Sequence, residues 1–188
     1  MADLDVAKRV LLAELREHAL AIGEVTLSSG AKAQYYVDAR RALLRPAGFR
    51  AAGELIAAAA VEAGATAVGG PATAAIPLAC AAIAVPAGAG LVGFFVRAER
   101  KRHGLQRWVE GPVEPGDRVL VVEDTVTTGG STVAAIERIR AQGLEVVGAR
   151  GLVDRLAGGG ASIEAAAAAP YRALVTIDEL YPERPDRV

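Results

Sequence analysis

Glu123 and Asp124 are adjacent carboxylates that follow the apolar run Val119, Leu120, Val121, Val122 and precede Thr125, Val126, Thr127, Thr128, Gly129, Gly130, Ser131 and Thr132. Each part of this stretch suits one part of a phosphorylated sugar. A helix starting at the glycines presents free backbone N–H groups and a partial positive charge, which bind a phosphate without a lysine. Thr127, Thr128, Ser131 and Thr132 add hydroxyl donors, and Gly129 and Gly130 let the backbone approach phosphate oxygens. The two carboxylates can accept hydrogen bonds from ribose hydroxyls. They also favour a nearby divalent cation, and oxygen ligands suit magnesium, although no side chain is singled out as a direct metal ligand. Taken singly, these features are those of a solvated strand end and an ordinary helix cap; their contiguity and order carry the phosphate reading. Neither Gly-x-x-x-x-Gly-Lys-Ser/Thr nor a strand-following Gly-x-Gly-x-x-Gly is present to offer another phosphate loop.

Three further groups carry charge or aromatic surface. Arg97, Arg100, Lys101, Arg102 and His103 form one dense basic cluster, ended by Gly104. Several cations in such a loop can close over a departing anion and neutralise it; the plain alternative is a solvated basic loop. Asp154 and Arg155 follow an apolar run, and the planar fork of an arginine matches a carboxylate, with a surface salt bridge as the alternative. Tyr35 and Tyr36 lie in a short β-prone segment, where strand packing competes with a ligand-stacking role.

These residues need elements to hold them. Residues 3–21 read as an amphipathic helix with Leu4, Leu11, Leu15 and Ala19 near one face. A short strand followed by a turn is expected over residues 24–30, a second short strand over 35–40, and a helix from Pro46 to about residue 63, ended by Gly64. Beyond this, strands at 66–68, 91–96, 118–123, 146–153 and 174–177 alternate with helices at 72–83, 129–142 and 161–168. Gly69, Gly70 and Pro71 read as a turn, and Gly143 as the residue closing a helix. The alternation predicts an α/β fold with a central parallel sheet flanked by helices. Ligands of such sheets bind beyond the carboxyl ends of the strands, which points to Gly69 and Gly70, to Arg97 onward, to Glu123 onward, and to Asp154 and Arg155.

Composition bounds the function. With 188 residues the chain has the length of one domain, and 52% hydrophobic against 23% charged residues is a globular balance. A net charge of -1 argues against a non-specific nucleic-acid partner. The lone Cys80 excludes an intramolecular disulfide and a cysteine-built zinc site, and its apolar surroundings predict a small buried hydrophobe. Residues 72–96 are apolar, but Pro77, Pro86 and several glycines interrupt them, so no membrane span is expected. The N-terminus carries charges throughout and lacks the apolar centre of a signal peptide, so a cytoplasmic protein is expected.

The stretch VVEDTVTTGGST, residues 121–132, resembles the phosphoribosyl pyrophosphate (PRPP) motif of type I phosphoribosyltransferases. That resemblance implies the type I phosphoribosyltransferase fold over residues 1–188, with a small N-terminal hood at about 1–40 and a PRPP-binding core at about 41–180. It assigns Glu123 and Asp124 to the ribose hydroxyls and residues 125–132 to the 5-phosphate, with magnesium accompanying PRPP. Three more segments are similar to the orotate phosphoribosyltransferases. Residues 95–104, with Glu110 and Gly111, match the family's mobile loop, placing Arg97, Lys101 and His103 at the pyrophosphate, often of the neighbouring subunit in a homodimer. Lys101, His103 and Asp124 become the expected catalytic groups, the first two at the leaving group and the third near the developing cation. Residues 23–40 match the base-binding region, with Tyr36 packing on orotate, and Thr127 and Arg155 complete the base contacts. The implied activity is transfer of phosphoribosyl from PRPP to orotate in pyrimidine nucleotide synthesis. The alternatives are another base (a purine or uracil) and a non-catalytic PRPP-sensing regulator. Ser28, the Ala72-Thr73 pair and Ala98 stand where many relatives carry Lys, a Tyr-Lys pair and Lys. The pyrophosphate site is therefore expected to be less cationic, with Arg100, Arg102 or Lys32 to compensate. Trp108 is expected to pack rather than to stack on a base.

Overall fold

The structure is a computed structural model that describes residues 3–26, 32–99 and 108–187. A six-stranded sheet forms its centre, in the order β5-β4-β3-β6-β7-β8. Its strands are β3 (Ala67–Pro71), β4 (Val92–Val96), β5 (Val109–Glu110), β6 (Arg118–Val126), β7 (Glu145–Asp154) and β8 (Tyr171–Thr176). All neighbours run parallel except the short edge strand β5, which is antiparallel to β4. Apart from it lies an antiparallel pair, β1 (Leu20–Thr26) with β2 (Lys32–Val37).

Strand β6 shows why the sheet needs helices on both faces. Successive strand side chains point to opposite sides. Leu120 and Val122 belong to one buried cluster and Val119 and Val121 to another. The first cluster joins them to α1 (Leu4–Glu14), α3 (Pro46–Glu62) and α4 (Ala75–Ala84) through Leu11, Ile56 and Leu78. The second joins them to α5 (Gly130–Ala141) and α6 (Gly159–Ala167) through Ile136, Ile139 and Ile163. Two short helices, α2 (Arg40–Leu43) and α7 (Ile177–Leu180), complete the chain. The parallel α/β architecture expected from the alternation is the one observed.

Local signals act as expected at several ends. Asp3 Oδ1 accepts from the N–H groups of Asp5 and Val6 at 3.0 and 3.2 Å, capping α1. Pro46 occupies the first turn of α3, and Gly64 follows it with φ +64°. After α5, Gly143 at φ +79° donates to Arg140 O at 2.9 Å and Leu144 donates to Ile139 O at 3.3 Å, the paired bonds of a Schellman ending.

Other expectations need correction. The first helix stops at Glu14 and passes into a π-turn at Leu15–Ala19. Leu11, Leu15 and Ala19 are buried as expected, but Leu4 is exposed and Ala7 takes the inward position one turn before Leu11. Gly69 and Gly70 form no turn: they lie inside β3, because a Cβ on Gly69 would fall on the Phe94 carbonyl and one on Gly70 on the Val122 carbonyl. Cys80 is exposed, since Ile76, Cys80 and Ile83 share the outer face of α4 while Ala75, Leu78 and Ala82 face inward. The two-residue β5 and the one-turn helices α2 and α7 are too short for a periodic pattern to announce them.

Candidate active site

Strands β3, β4, β6 and β7 lie side by side, and their carboxyl ends bring the four expected segments to one edge of the sheet. β6 runs three residues beyond the expected end, so Asp124 as well as Glu123 belongs to the strand rather than to the loop. Alternation therefore sends them to opposite sides. Glu123 is buried, with 5% of its surface exposed, whereas Asp124 is half-buried and lines a cleft.

Glu123 has its oxygens occupied from within the chain. Its Oε2 accepts the hydroxyls of Ser131 at 2.8 Å and Thr132 at 2.9 Å, and Oε1 accepts the Asp124 N–H at 3.3 Å. Burial nevertheless holds its pKa above the usual carboxylate range, with the two hydroxyls pulling the other way. The bonds tie the first turn of α5 to the end of β6, so Ser131 and Thr132 spend their hydroxyl protons on a carboxylate. Thr127, Thr128 and Ser131 are exposed at the loop surface, and Thr132 is buried. α5 has no side-chain cap, and Gly129 turns into it at φ +78°.

The loop between them is braced from behind. Gly159 N–H, at the start of α6, donates to Thr127 O at 3.0 Å. A Cβ on Gly159 would lie 2.8 Å from both Gly129 N and Val126 Cγ1, so only a glycine lets α6 approach. Val126 is buried beneath the loop and contributes backbone alone. Its carbonyl accepts the Arg155 N–H at 2.9 Å, which sets the start of the chain leaving β7 beside the loop. Asp154 Oδ1 accepts from Leu156 N–H at 2.7 Å and turns that chain, a local backbone role.

Tyr36, Asp38, Arg40, Asp124, Thr125, Thr127 and Arg155 together line a cleft of about 250 Å³. β2 decides between the two tyrosines: Tyr35 is buried, at 3% exposure, and Tyr36, at 38%, faces the cleft. Asp124 Oδ1 accepts the Thr125 N–H at 2.7 Å. Burial raises the Asp124 pKa, the Thr125 N–H and the positive field of Arg40 lower it, and Asp38 raises it further. Arg40 Nε donates to Asp38 Oδ1 at 2.9 Å, and that bond with the Asp38 charge raises the already high pKa of Arg40. Arg155 enters from the far wall. Its Nη2 donates to Tyr35 Oη at 3.4 Å, while its Nε is buried and without a hydrogen-bond partner among the described residues.

Asp38 and Arg40 went unassigned in the sequence. The signal was a charged pair just where a predicted strand ended, beside a tyrosine already suspected of touching a ligand. Arg97 stands at the end of β4, outside this cleft, with its Nη1 3.6 Å from Glu110 Oε1 and its buried Nε unpartnered among the described residues. Trp108 packs as expected, under the Arg138 guanidinium at 3.9 Å from the ring centre. Lys32 is held by Glu24 at 2.8 Å on the β1–β2 surface and does not line the cleft. Ser28, Arg100, Lys101, Arg102 and His103 lie outside the described residues. No group of three or more metal-ligating side chains occurs among the described residues. A second cavity, about 330 Å³, sits at the amino ends of β6 and β7 and offers Glu114 as its one charged wall residue.

Comparison with known proteins places the chain in a family. Residues 41–167 match the model of the phosphoribosyl transferase domain. The orotate phosphoribosyltransferase of Streptomyces avermitilis is 45% identical over 179 residues, covering 94% of this chain and 98% of that one. The crystal structure of the Mycobacterium tuberculosis H37Rv orotate phosphoribosyltransferase superposes with a TM-score of 0.84 at 39% identity, over 93% of this chain and 99% of that one. The same enzyme in complex with PRPP gives a TM-score of 0.80 at 35% identity, over 93% and 98%. By family model, relatives and fold together, the chain belongs to the orotate phosphoribosyltransferases of the phosphoribosyl transferase family.

Proposed function

We propose that the cleft between β6, β7 and β2 is where this chain carries out its family's reaction, transfer of a phosphoribosyl group from PRPP to orotate. The bond between C1′ of the ribose and the pyrophosphate oxygen breaks, and pyrophosphate leaves with the electron pair. N1 of orotate forms the new bond to C1′, its proton passing to solvent, and orotidine 5′-monophosphate results. The observation that carries the base assignment is Arg155, whose buried Nε has no partner among the described residues and whose side chain lines the same cleft as Asp124 and Thr127. An unsatisfied buried guanidinium N–H is costly, and a ligand carboxylate relieves it with a charge-assisted bond. Orotate carries that carboxylate; purines and uracil do not.

The other roles follow from position. The backbone N–H groups at residues 127–131, with the Thr127 and Thr128 hydroxyls, hold the 5-phosphate at the start of α5. Asp124 faces the cleft with one oxygen tied to Thr125, which leaves the other for a ribose hydroxyl and for the positive charge developing at C1′. Glu123 holds the loop's first turn in place, and Tyr36 provides the flat surface for the base. Lys101 and His103 are assigned, with Arg97, to stabilising the departing pyrophosphate. No protein nucleophile is needed, because positioning and electrostatics account for the rate.

Magnesium fits this arrangement as a companion of PRPP. The described residues hold no carboxylate cage, and magnesium is commonly held by one or two carboxylates with substrate phosphates and water. Asp38 and Asp124 both line the cleft; Asp38 is paired with Arg40, so Asp124 is the carboxylate that would meet the cation, and the bound cation would supply neutralisation of the pyrophosphate charge. We also assign a homodimer. Ile76, Ala79, Cys80, Ile83 and Phe95 line an open, almost wholly apolar groove of about 210 Å³, the surface a second copy would cover. PRPP and orotate are anions that do not cross a bilayer unaided, so the enzyme is placed in the cytoplasm with them.

The direct test mixes protein, PRPP, magnesium and orotate and follows the loss of orotate's ultraviolet absorbance, with uracil, adenine and hypoxanthine in parallel. Turnover confined to orotate is the expected result. Equal turnover of uracil would remove the role given to Arg155, and PRPP binding without turnover of any base would mark a sensor instead of an enzyme.

A further inference from the structure

Arg155 is reached from behind by a chain of bonds that starts in the last residues of the protein. Its Nη2 donates to the Tyr35 hydroxyl at 3.4 Å, and that hydroxyl donates to Asp186 Oδ2 at 3.0 Å. The other Asp186 oxygen lies 3.3 Å from Arg184 Nε, and Arg184 Nη1 lies 3.0 Å from Asp178 Oδ1 of α7. The Arg184 side chain is only 9% exposed, so this is an anchored end, not a loose tail. Rings support the same geometry: Tyr181 meets Tyr35 edge-on at 5.6 Å, and the Arg155 guanidinium lies 5.3 Å from the Tyr35 ring centre.

None of these tail residues lines the cleft, yet together they decide which way the guanidinium points. An arginine side chain free in a cleft must be ordered when its ligand binds, and ordering it beforehand strengthens binding. A hydroxyl that donates to a carboxylate is also a better acceptor for the next donor, so the Asp186 charge reaches Arg155 through Tyr35. We propose that Tyr35 and Asp186 are positioning residues that hold the Arg155 guanidinium in the orientation that meets the base carboxylate. The C-terminal segment thereby contributes to base selectivity without touching the base. This rests on the reading that Arg155 binds the orotate carboxylate.

The test uses the full chain with Tyr35→Phe, which keeps both ring contacts and removes only the hydroxyl, and with Asp186→Asn. Both are expected to raise the orotate KM and the calorimetric orotate Kd about tenfold, the order expected when one supporting hydrogen bond to a charged group is lost. The melting temperature should fall by a few degrees, as the loss of a hydrogen bond to a charged group requires, but the PRPP KM should stay at its wild-type value and selectivity for orotate over uracil should fall by the same factor. In an Arg155→Ala background Tyr35→Phe should have no further effect on orotate affinity. Wild-type orotate affinity in both single variants overturns the relay and leaves the Arg155 reading standing. So does an undiminished Tyr35→Phe effect in the Arg155→Ala background. Wild-type orotate affinity in Arg155→Ala itself overturns the reading on which the relay rests.

Discussion

Thr132→Val separates two roles that the same hydroxyl could have. The resemblance of residues 121–132 to a phosphate loop gives Thr132 to the 5-phosphate, but in the structure its hydroxyl donates to Glu123 Oε2 at 2.9 Å. Thr132 is 2% exposed, and valine has nearly the same shape, so the substitution removes the donor without opening a cavity. A hydrogen bond to a charged group is worth about 1.5–3 kcal/mol. For a chain of this length each kcal/mol moves the melting temperature by roughly 2–4 °C, so a fall of about 3–12 °C is expected near neutral pH.

The pH dependence makes the test sharper. Burial raises the Glu123 pKa above its unfolded value. Such a group stabilises the fold fully below the unfolded pKa and loses that contribution as pH rises through the folded one. Removing one of the two hydroxyls raises the folded pKa further, so the variant loses more stability than the wild type once Glu123 ionises. Its deficit is therefore largest at neutral pH and shrinks on acidification below the folded pKa, where the protonated carboxyl no longer needs the donor. Thermal melts of both proteins from pH 4 to pH 8 would show this. An unchanged melting temperature together with a raised PRPP KM would refute the reasoning and return the hydroxyl to the phosphate.

Three other expectations follow from the cleft and its supports. Arg40→Met removes the positive field that lowers the Asp124 pKa, so the acid limb of kcat/KM for PRPP should move to higher pH, while an unmoved limb would detach Asp124 from that step. Gly159→Ala drives a methyl into Val126 and Gly129. It should cost about 1–3 kcal/mol in urea melts and raise the PRPP KM more than the orotate KM. Ile83→Asp places a charge on an apolar groove, on a side chain that is 39% exposed, and should shift the sedimenting species from dimer to monomer without lowering the melting temperature of the monomer.

What could be read from residues alone divides along a physical line. The strand, acidic pair and glycine-hydroxyl loop of residues 119–132 were legible because they are contiguous and each part acts through local geometry. So were Pro46, Gly64 and Gly143, whose conformations are set within a turn of themselves. Arg155 could be singled out by type and strand position and Tyr36 by the family resemblance, and the β2 pleat supplies the physical reason that Tyr36 and not Tyr35 faces the cleft. Asp38 and Arg40 escaped notice because their meaning lies in nearness to Asp124, more than 80 positions away in the chain.

Glycines misled local reasoning, and hydroxyls left it with two readings. Gly69 and Gly70 fit a turn as well as they fit a strand; the carbonyls of Phe94 and Val122, which exclude any side chain, belong to strands paired with β3 only in the folded sheet. The hydroxyls of Ser131 and Thr132 have two candidate acceptors, a phosphate before them and a carboxylate behind them. Glu123 wins because β6 continues through it and buries it beneath α5, where an unsatisfied charge costs more than a bond to a solvated ligand returns. The acidic pair thus divides its work by strand alternation. One carboxylate braces the loop and the other faces the cleft, a division that the motif's spelling leaves open and the pleat of a single strand decides.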